Sequence, residues 1–352
     1  MMKSSEDEKW IRVALEEGRK GIGLTAPNPP VGAVLVKDGA EIARGWHHKV
    51  GTPHAERDAL SKLQDGEARG ATAYVTLEPC STHGRTGACT KALKSAGVAK
   101  VVYGARDPNL SHGGRADEIL QSAGIEVVSG VLGEECHELI RGFSMVQREG
   151  RPWVIAKTAM SLDGRITRPE GEGQWLTGPR AREEVQKLRV EADAILTSGE
   201  TVRCDDPALT LRGLGIPPGK IQPWRAVMTR GDLDRKGFQL FEDEWKDRTV
   251  VFQNQSKYDI LRTLSKQYGV NTVLLEAGGS LLGSFLDERL IDEWVIYLAP
   301  IITGGPTISV GGQGSGTLEE RLNLKNLKIH QVGRDVCARG IVNRDLLKPL
   351  ER

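Results

Sequence analysis

The sequence predicts an α/β protein of two domains, and three observations carry that expectation. The chain has 352 residues, against roughly 100–200 per domain. Short β-branched apolar runs alternate with segments of helical apolar spacing, as in layered α/β units. Near the middle, the breakers Glu149-Gly150-Arg151-Pro152 separate two such series, giving domains over 1–148 and 151–352.

The elements follow in order. Apolar spacing predicts a helix over Asp7 to Lys20. The run Val31 to Lys37, ended by the turn residues Asp38 and Gly39, predicts a strand that pairs with another over Glu41 to His47. A helix over Ala55 to Leu63, a buried strand over Ala73 to Leu77, a helix over Cys89 to Ser95 and a strand at Val101 and Val102 come next. From Arg141 the end of a helix runs into the boundary. Beyond it, strands are expected over Trp153 to Ala159, Ala194 to Thr197, Ala226 to Met228, Thr249 to Phe252, Thr272 to Leu275 and Glu293 to Leu298, with a helical run from Ser280 to Leu290. Gly- and Pro-rich loops over Gly213 to Pro223 and Gly304 to Gly316 separate them, and neither low-complexity tracts nor solenoid repeats interrupt the pattern.

Composition narrows the function. With 48 Lys+Arg against 47 Asp+Glu, a net charge of +1, the chain has no excess positive field for nucleic acid or an anionic membrane, so the expected ligand is a small molecule. Met1 to Trp10 is charged and lacks a signal-peptide core, and no segment approaches the roughly 18 apolar residues of a membrane span, so a cytoplasmic location is expected. The five cysteines, Cys80, Cys89, Cys136, Cys204 and Cys337, are an odd number on a long chain. That pattern points to metal ligation or catalysis by some of them rather than to a disulfide framework.

His54-Ala55-Glu56 at a helix start, Pro79-Cys80 after a strand and Cys89 at the next helix start carry the strongest chemical signal. One imidazole and two thiolates give a catalytic zinc its three ligands and leave a fourth position for water. Helix N-termini favour the thiolate form. Glu56 is placed to take a proton from the attacking water and return it to a leaving amine. The layout matches the H-x-E…P-C-x-x-C signature of zinc nucleobase deaminases, with one departure: the cysteines lie nine positions apart (89 − 80). The interval includes His83 and Arg85, which suit a loop that closes the site and grips a phosphate. A structural zinc with His83 as a fourth ligand is the alternative, and Glu56 has no task in it.

In the second half no G-x-G-x-x-G follows a strand. Glu276-Ala277-Gly278-Gly279 between a strand and a helical run would let a backbone approach a nucleotide phosphate at the helix N-terminus; an ordinary tight turn is the plainer alternative.

Longer motifs carry a resemblance. Asn28-Pro29-Pro30-Val31-Gly32-Ala33-Val34, His54-Ala55-Glu56, Thr76-Leu77-Glu78-Pro79-Cys80 and His83-Gly84-Arg85-Thr86 resemble the deaminase half of the bifunctional riboflavin-biosynthesis deaminase/reductases. Lys157 to Gly164, Gln174-Trp175-Leu176-Thr177, Thr201 to Thr210 and Glu276 to Gly279 resemble the reductase half, in the same order. The resemblance implies a cytidine-deaminase-like three-layer domain followed by a dihydrofolate-reductase-like domain. It implies deamination of 2,5-diamino-6-ribosylamino-4(3H)-pyrimidinone 5′-phosphate, then reduction of the ribosyl group of 5-amino-6-(5-phosphoribosylamino)uracil by NADPH. Zinc would be held by His54, Cys80 and Cys89, with Glu56 catalytic.

By the same resemblance, Asn28, His83 and Arg85 contact the deaminase substrate. Gly173, Arg189, Leu209, Arg212 and Glu276 contact the reductase substrate, Arg189 and Arg212 as a clamp for its phosphate. Ala159, Trp175, Thr201, Asp205 and the turn Gly278, Gly279, Ser280, Leu281, Leu282, Gly283, Ser284 contact the cofactor. Lys157 is a candidate at the ribose oxygen, and a homo-oligomer, dimer or tetramer, is implied. The chain departs from the family pattern at Thr82, Gly87-Ala88 and Leu110 around the deaminase pocket and at Thr229-Arg230 near the cofactor, where Arg230 is a candidate for the 2′-phosphate. Two other functions stand beside this one: a zinc deaminase of another nucleobase or tRNA with an accessory, non-reducing second domain, and a non-enzymatic binding protein. Near-neutral charge counts against tRNA, and Glu56 beside three ligands counts against the last.

Overall fold

Each half of the chain builds a sheet of its own, in units Met1–Gly150 and Arg151–Arg352. The structure, a computed structural model, describes residues 5–81, 87–109, 113–166, 175–213, 215–317 and 320–343. Among them no helix is long and apolar enough to cross a membrane.

In the first unit α1 (Ser5–Arg19) precedes the hairpin β1 (Gly32–Lys37) and β2 (Ala40–Trp46), then α2 (Ala55–Leu60), β3 (Thr72–Leu77), α3 (Cys89–Ala96) and β4 (Lys100–Ala105). There follow α4 (Arg115–Gln121), β5 (Glu126–Ser129), α5 (Gly133–Leu139) and α6 (Arg141–Glu149). The strand order is β2-β1-β3-β4-β5, antiparallel across β2, β1 and β3 and parallel from β3 to β5. β3 and β4 are buried over nearly their whole length because helices cover both faces, which explains why they read as unbroken apolar runs. α1 seats Trp10, Ile11, Ala14 and Leu15 in that core. α2 lies so close to β2 that a Cβ on Gly45 would stand 2.4 Å from Ala59 N and 2.6 Å from Ala55 O. Glycine there fixes the depth of the helix that follows His54.

The second unit runs β6 (Trp153–Ser161), α7 (Pro179–Glu191), β7 (Ala194–Ser198), α8 (Gly199–Asp205), β8 (Trp224–Thr229), α9 (Gln239–Glu242), β9 (Thr249–Gln253) and α10 (Lys257–Tyr268). It continues through β10 (Thr272–Glu276), α11 (Gly279–Asp287), β11 (Glu293–Ala299), β12 (Leu324–Val332) and β13 (Asp335–Val342). Its eight strands order as β12-β13-β11-β6-β10-β7-β8-β9. Those from β11 to β9 are parallel, and the β12–β13 hairpin adds antiparallel to β11. Arg151, which reads in sequence as part of a breaker, is buried instead: its Nη1 and Nη2 donate to Asp292 at 2.7 and 2.9 Å, and Asp292 Oδ2 also accepts from Val154 N. Such a pair contributes little beyond an apolar substitute, but losing one partner strands a buried charge. It therefore fixes where β6 starts against the entry to β11.

Candidate active sites

Three elements bring the first site together. His54 is the residue before α2, Cys80 follows β3 and Cys89 opens α3. His54 Nδ1 lies 3.5 Å from Cys80 Sγ and 3.4 Å from Cys89 Sγ, and the three donor atoms are all within 4.8 Å of one another. A tetrahedral zinc with bonds of about 2.05 Å to nitrogen and about 2.3 Å to sulfur requires N–S separations of about 3.6 Å, so the donor set fits the ion. The backbone N–H of Cys89 donates to Cys80 Sγ at 3.3 Å, a contact that favours thiolate there. The hydrogen bond with the Cys89 thiol, joined by one with His54, lowers the Cys80 pKa against the effect of burial.

Glu56 is 4% exposed and in hydrogen-bonding contact with the Cys89 side chain. Burial first, then the Cys80 charge, raises its pKa, while His54 opposes them; a cation on the same ligands would also pull downward. Asn28 reaches the site through a residue that sequence reasoning missed, His47. His47 Nδ1 is 3.1 Å from the Pro53 carbonyl oxygen, which can only accept, so Nδ1 carries the proton. His47 Nε2 then accepts from Asn28 Nδ2 at 3.0 Å, which fixes the direction of the amide. The His47 ring stands edge-on to His54, centroids 5.4 Å apart, and burial lowers its pKa. No motif announces it, since it follows Trp46 as one of two adjacent histidines at a strand end.

Glu78 is a second omission, passed over as part of a motif. Its Oε1 accepts from Gly114 N at 2.8 Å and Ala116 N at 3.3 Å, and its Oε2 from Asp107 N at 3.3 Å. This buried carboxylate ties the turn before Cys80 to the start of α4. His83 and Arg85, with Thr82 and Leu110, lie outside the described residues, as does Gly173.

The second site is a cleft of about 870 Å³ in the second unit. Ala159, Trp175, Thr201, Asp205 and Gly278 line it, and so do Arg189, Leu209, Arg212, Glu276 and Lys157, although they come from β6, α7, α8, β10 and the intervening loops. At its floor, Glu276 Oε1 accepts from Arg189 Nε at 2.7 Å and Oε2 from Arg189 Nη2 at 3.2 Å, with Lys157 Nζ 3.4 Å away. Arg189 Nη1 donates to the Thr210 carbonyl at 3.0 Å. Of the two arginines expected to clamp the phosphate, Arg189 is thus engaged with Glu276 and Thr210. The Arg189 fork holds a carboxylate, which matches it bidentately, and Arg212 is exposed at the cleft. Leu209 is buried with a left-handed φ of 47°, a conformation costly for a side-chain-bearing residue and concentrated at functional sites.

Of the glycine turn, Gly278 alone borders the cleft. A Cβ on Gly279 would stand 2.2 Å from the Ile308 carbonyl, and one on Gly283 2.0 Å from Gly311 C. Leu282 is core, while Ser280, Leu281 and Ser284 lie along α11 away from the cleft lining. Gly279, Leu282 and Gly283 of the expected cofactor turn are thus held in close helix packing, while Ser280 at the start of α11 is exposed. Thr229 and Arg230 also lie off the cleft lining: Thr229 is buried with its hydroxyl donating to Gly231 O, and Arg230 is exposed.

Comparisons with known proteins cover both halves of the chain. Residues 4–105 match the family described as the cytidine and deoxycytidylate deaminase zinc-binding region, and residues 152–338 match the RibD C-terminal domain. The riboflavin biosynthesis protein RibD of Escherichia coli is 39% identical, covering 94% of this chain and 98% of that protein. The RibD structure from Acinetobacter baumannii (form 1) superposes with a TM-score of 0.88 at 38% identity, covering 96% of this chain and 99% of that one. A Thermotoga maritima diaminohydroxyphosphoribosylaminopyrimidine deaminase/5-amino-6-(5-phosphoribosylamino)uracil reductase gives 0.84 at 33% identity, over 96% and 99%. By identity sustained over almost its whole length, the chain belongs to the RibD family of riboflavin biosynthesis proteins.

Proposed function

We infer that this chain is a bifunctional, zinc- and NADPH-dependent enzyme of riboflavin biosynthesis. The first unit deaminates 2,5-diamino-6-ribosylamino-4(3H)-pyrimidinone 5′-phosphate, and the second reduces the ribosyl group of the resulting aminouracil nucleotide to ribitylamino. The observation that carries the reading is the buried Glu56 beside three donor atoms of zinc-like spacing. The alternative with a non-reducing second domain is not favoured, because the second half matches the RibD C-terminal domain.

Bound zinc supplies Lewis-acid activation of water. Glu56 takes the proton released on attack and delivers it to the departing amine, and burial raises its pKa above the usual carboxylate value. Asn28, oriented by His47, presents its amide to the pyrimidine, and His83 and Arg85 are the proposed contacts for the rest of the nucleotide. In the second unit NADPH supplies hydride. Ala159, Trp175, Thr201, Asp205 and the Gly278 end of α11 are proposed to hold it, and Leu209, Arg212, Glu276, Arg189 and Gly173 to hold the substrate. The family resemblance further supports a cytoplasmic homo-oligomer, dimer or tetramer. One assay tests the whole reading: the purified chain is given the diaminopyrimidine nucleotide with and without NADPH. Ammonia and the aminouracil nucleotide should form without NADPH and the ribitylamino product with it; absence of ammonia release sinks the first step.

Arg212 gives a narrower test. Removing one charge-assisted hydrogen bond costs about 1.5–3 kcal/mol, or roughly ten- to a hundred-fold in affinity. Arg212→Ala should therefore raise the reductase KM by about that factor while ammonia release stays unchanged. An unchanged KM in a folded variant would remove Arg212 from the phosphate site.

A further inference from the structure

We propose that Glu184, His330 and Cys337 form a second metal site, in the reductase unit, that takes a divalent ion of the zinc kind. His330 on β12 and Cys337 on β13 are directly opposed in the antiparallel pair, so their side chains share a face. α7 packs on that face through Ala181 and Leu188, which join Tyr297, Val332 and Cys337 in one cluster. Glu184 comes from the same helix and places its Oε1 2.9 Å from His330 Nε2. One nitrogen, one oxygen and one sulfur donor lie within 4.8 Å of one another. This mixed set is characteristic of zinc coordination, and helix and sheet packing set it in advance.

The buried Tyr297 hydroxyl hydrogen-bonds the Cys337 thiol, which holds that side chain at the cluster. Charge favours the same occupant. A thiolate and a carboxylate with a neutral imidazole balance a dication, so burying the ion leaves no net charge. Arg339, the cation facing the pair, is already taken by Glu191 at 2.8 Å and Glu293 at 2.6 Å. A metal displaces the thiol proton of Cys337 on binding. Occupancy would pin α7, which carries Arg189 to the cleft floor, to the C-terminal hairpin. Ile329 points to the opposite face of β12 and is 64% exposed, so covering that face would leave the site intact.

Zinc titration of the full-length chain, with bound metal counted by elemental analysis, tests the proposal. The expected result is two equivalents per chain. Cys89→Ser should lose one of them, His330→Ala and Cys337→Ser should each lose the other, and Cys89→Ser/His330→Ala should retain neither. His330 is about half exposed, so its replacement reads the site even where the buried Cys337→Ser fails to fold. With cobalt(II) as the probe, a thiolate charge-transfer band should survive Cys89→Ser and vanish in the double variant. A single equivalent in the unaltered chain, or a second one that survives His330→Ala, overturns the site.

Discussion

Glu56→Gln should lower deamination of the diaminopyrimidine nucleotide by at least about 10²-fold, the contribution typical of a positioned general acid/base, with zinc content unchanged. Glutamine keeps the size and most of the hydrogen bonding of the side chain but cannot carry the proton. The metal ligands are separate residues, so the loss lies in proton transfer and not in metal binding. Cys89→Ser is the contrasting case: it removes one of three donor atoms, and elemental analysis should show zinc and deamination falling together. Both variants should still reduce the pre-deaminated nucleotide with NADPH, because the cleft residues all belong to the second unit. Near-normal ammonia release by a zinc-loaded Glu56→Gln chain would remove the carboxylate from the reaction. Full metal retention by Cys89→Ser would place the third ligand elsewhere.

The parts of this protein that can be read from its sequence are those set by local rules. β3, β10 and their neighbours are apolar runs of strand length bounded by turn residues, and the structure places strands there. Ligands at helix starts beside a strand end sit close in sequence, so His54, Cys80, Cys89 and Glu56 could be found together. Elements that owe their form to tertiary packing were not seen. β12 exposes most of its length and carries three lysine or histidine side chains, as an unpaired edge requires, so its alternation is hidden. α4, α5 and α7 are rich in charge and bury few residues, which weakens their apolar period. α10 did carry a signal that was passed over: Ser256 caps it by accepting from Asp259 N at 3.1 Å. His47 and the Arg189–Glu276 pair depend on distances between residues far apart in the chain. A charged Arg and Glu in the sequence do not reveal that they are partners.

That pair should be a sensitive point of the second unit. Glu276 is set between Lys157 and Arg189, and removing a member of a buried ion pair typically costs about 3–5 kcal/mol because the remaining charge is stranded. Glu276→Ala should therefore lower the unfolding free energy of the second unit by about that amount and reduce its reductase activity, while ammonia release by the first unit persists. With two units, the chain should be followed by probes specific to each, since a single two-state transition is not expected. Titration gives a second reading. Burial pushes the Glu276 carboxyl up, but the charges and hydrogen bonds of Arg189 and Lys157 outweigh it and bring it from an ordinary 4.5 to about 2. A carboxylate lowered by folding contributes its stability above the ordinary value and loses it as pH falls toward the folded one. The stability gap between the unaltered chain and Glu276→Gln should accordingly be full at neutral pH and narrow as the pH drops from about 4.5 toward 2. A gap that stays constant across that interval would mean that the carboxylate charge is not what Arg189 and Lys157 hold in place.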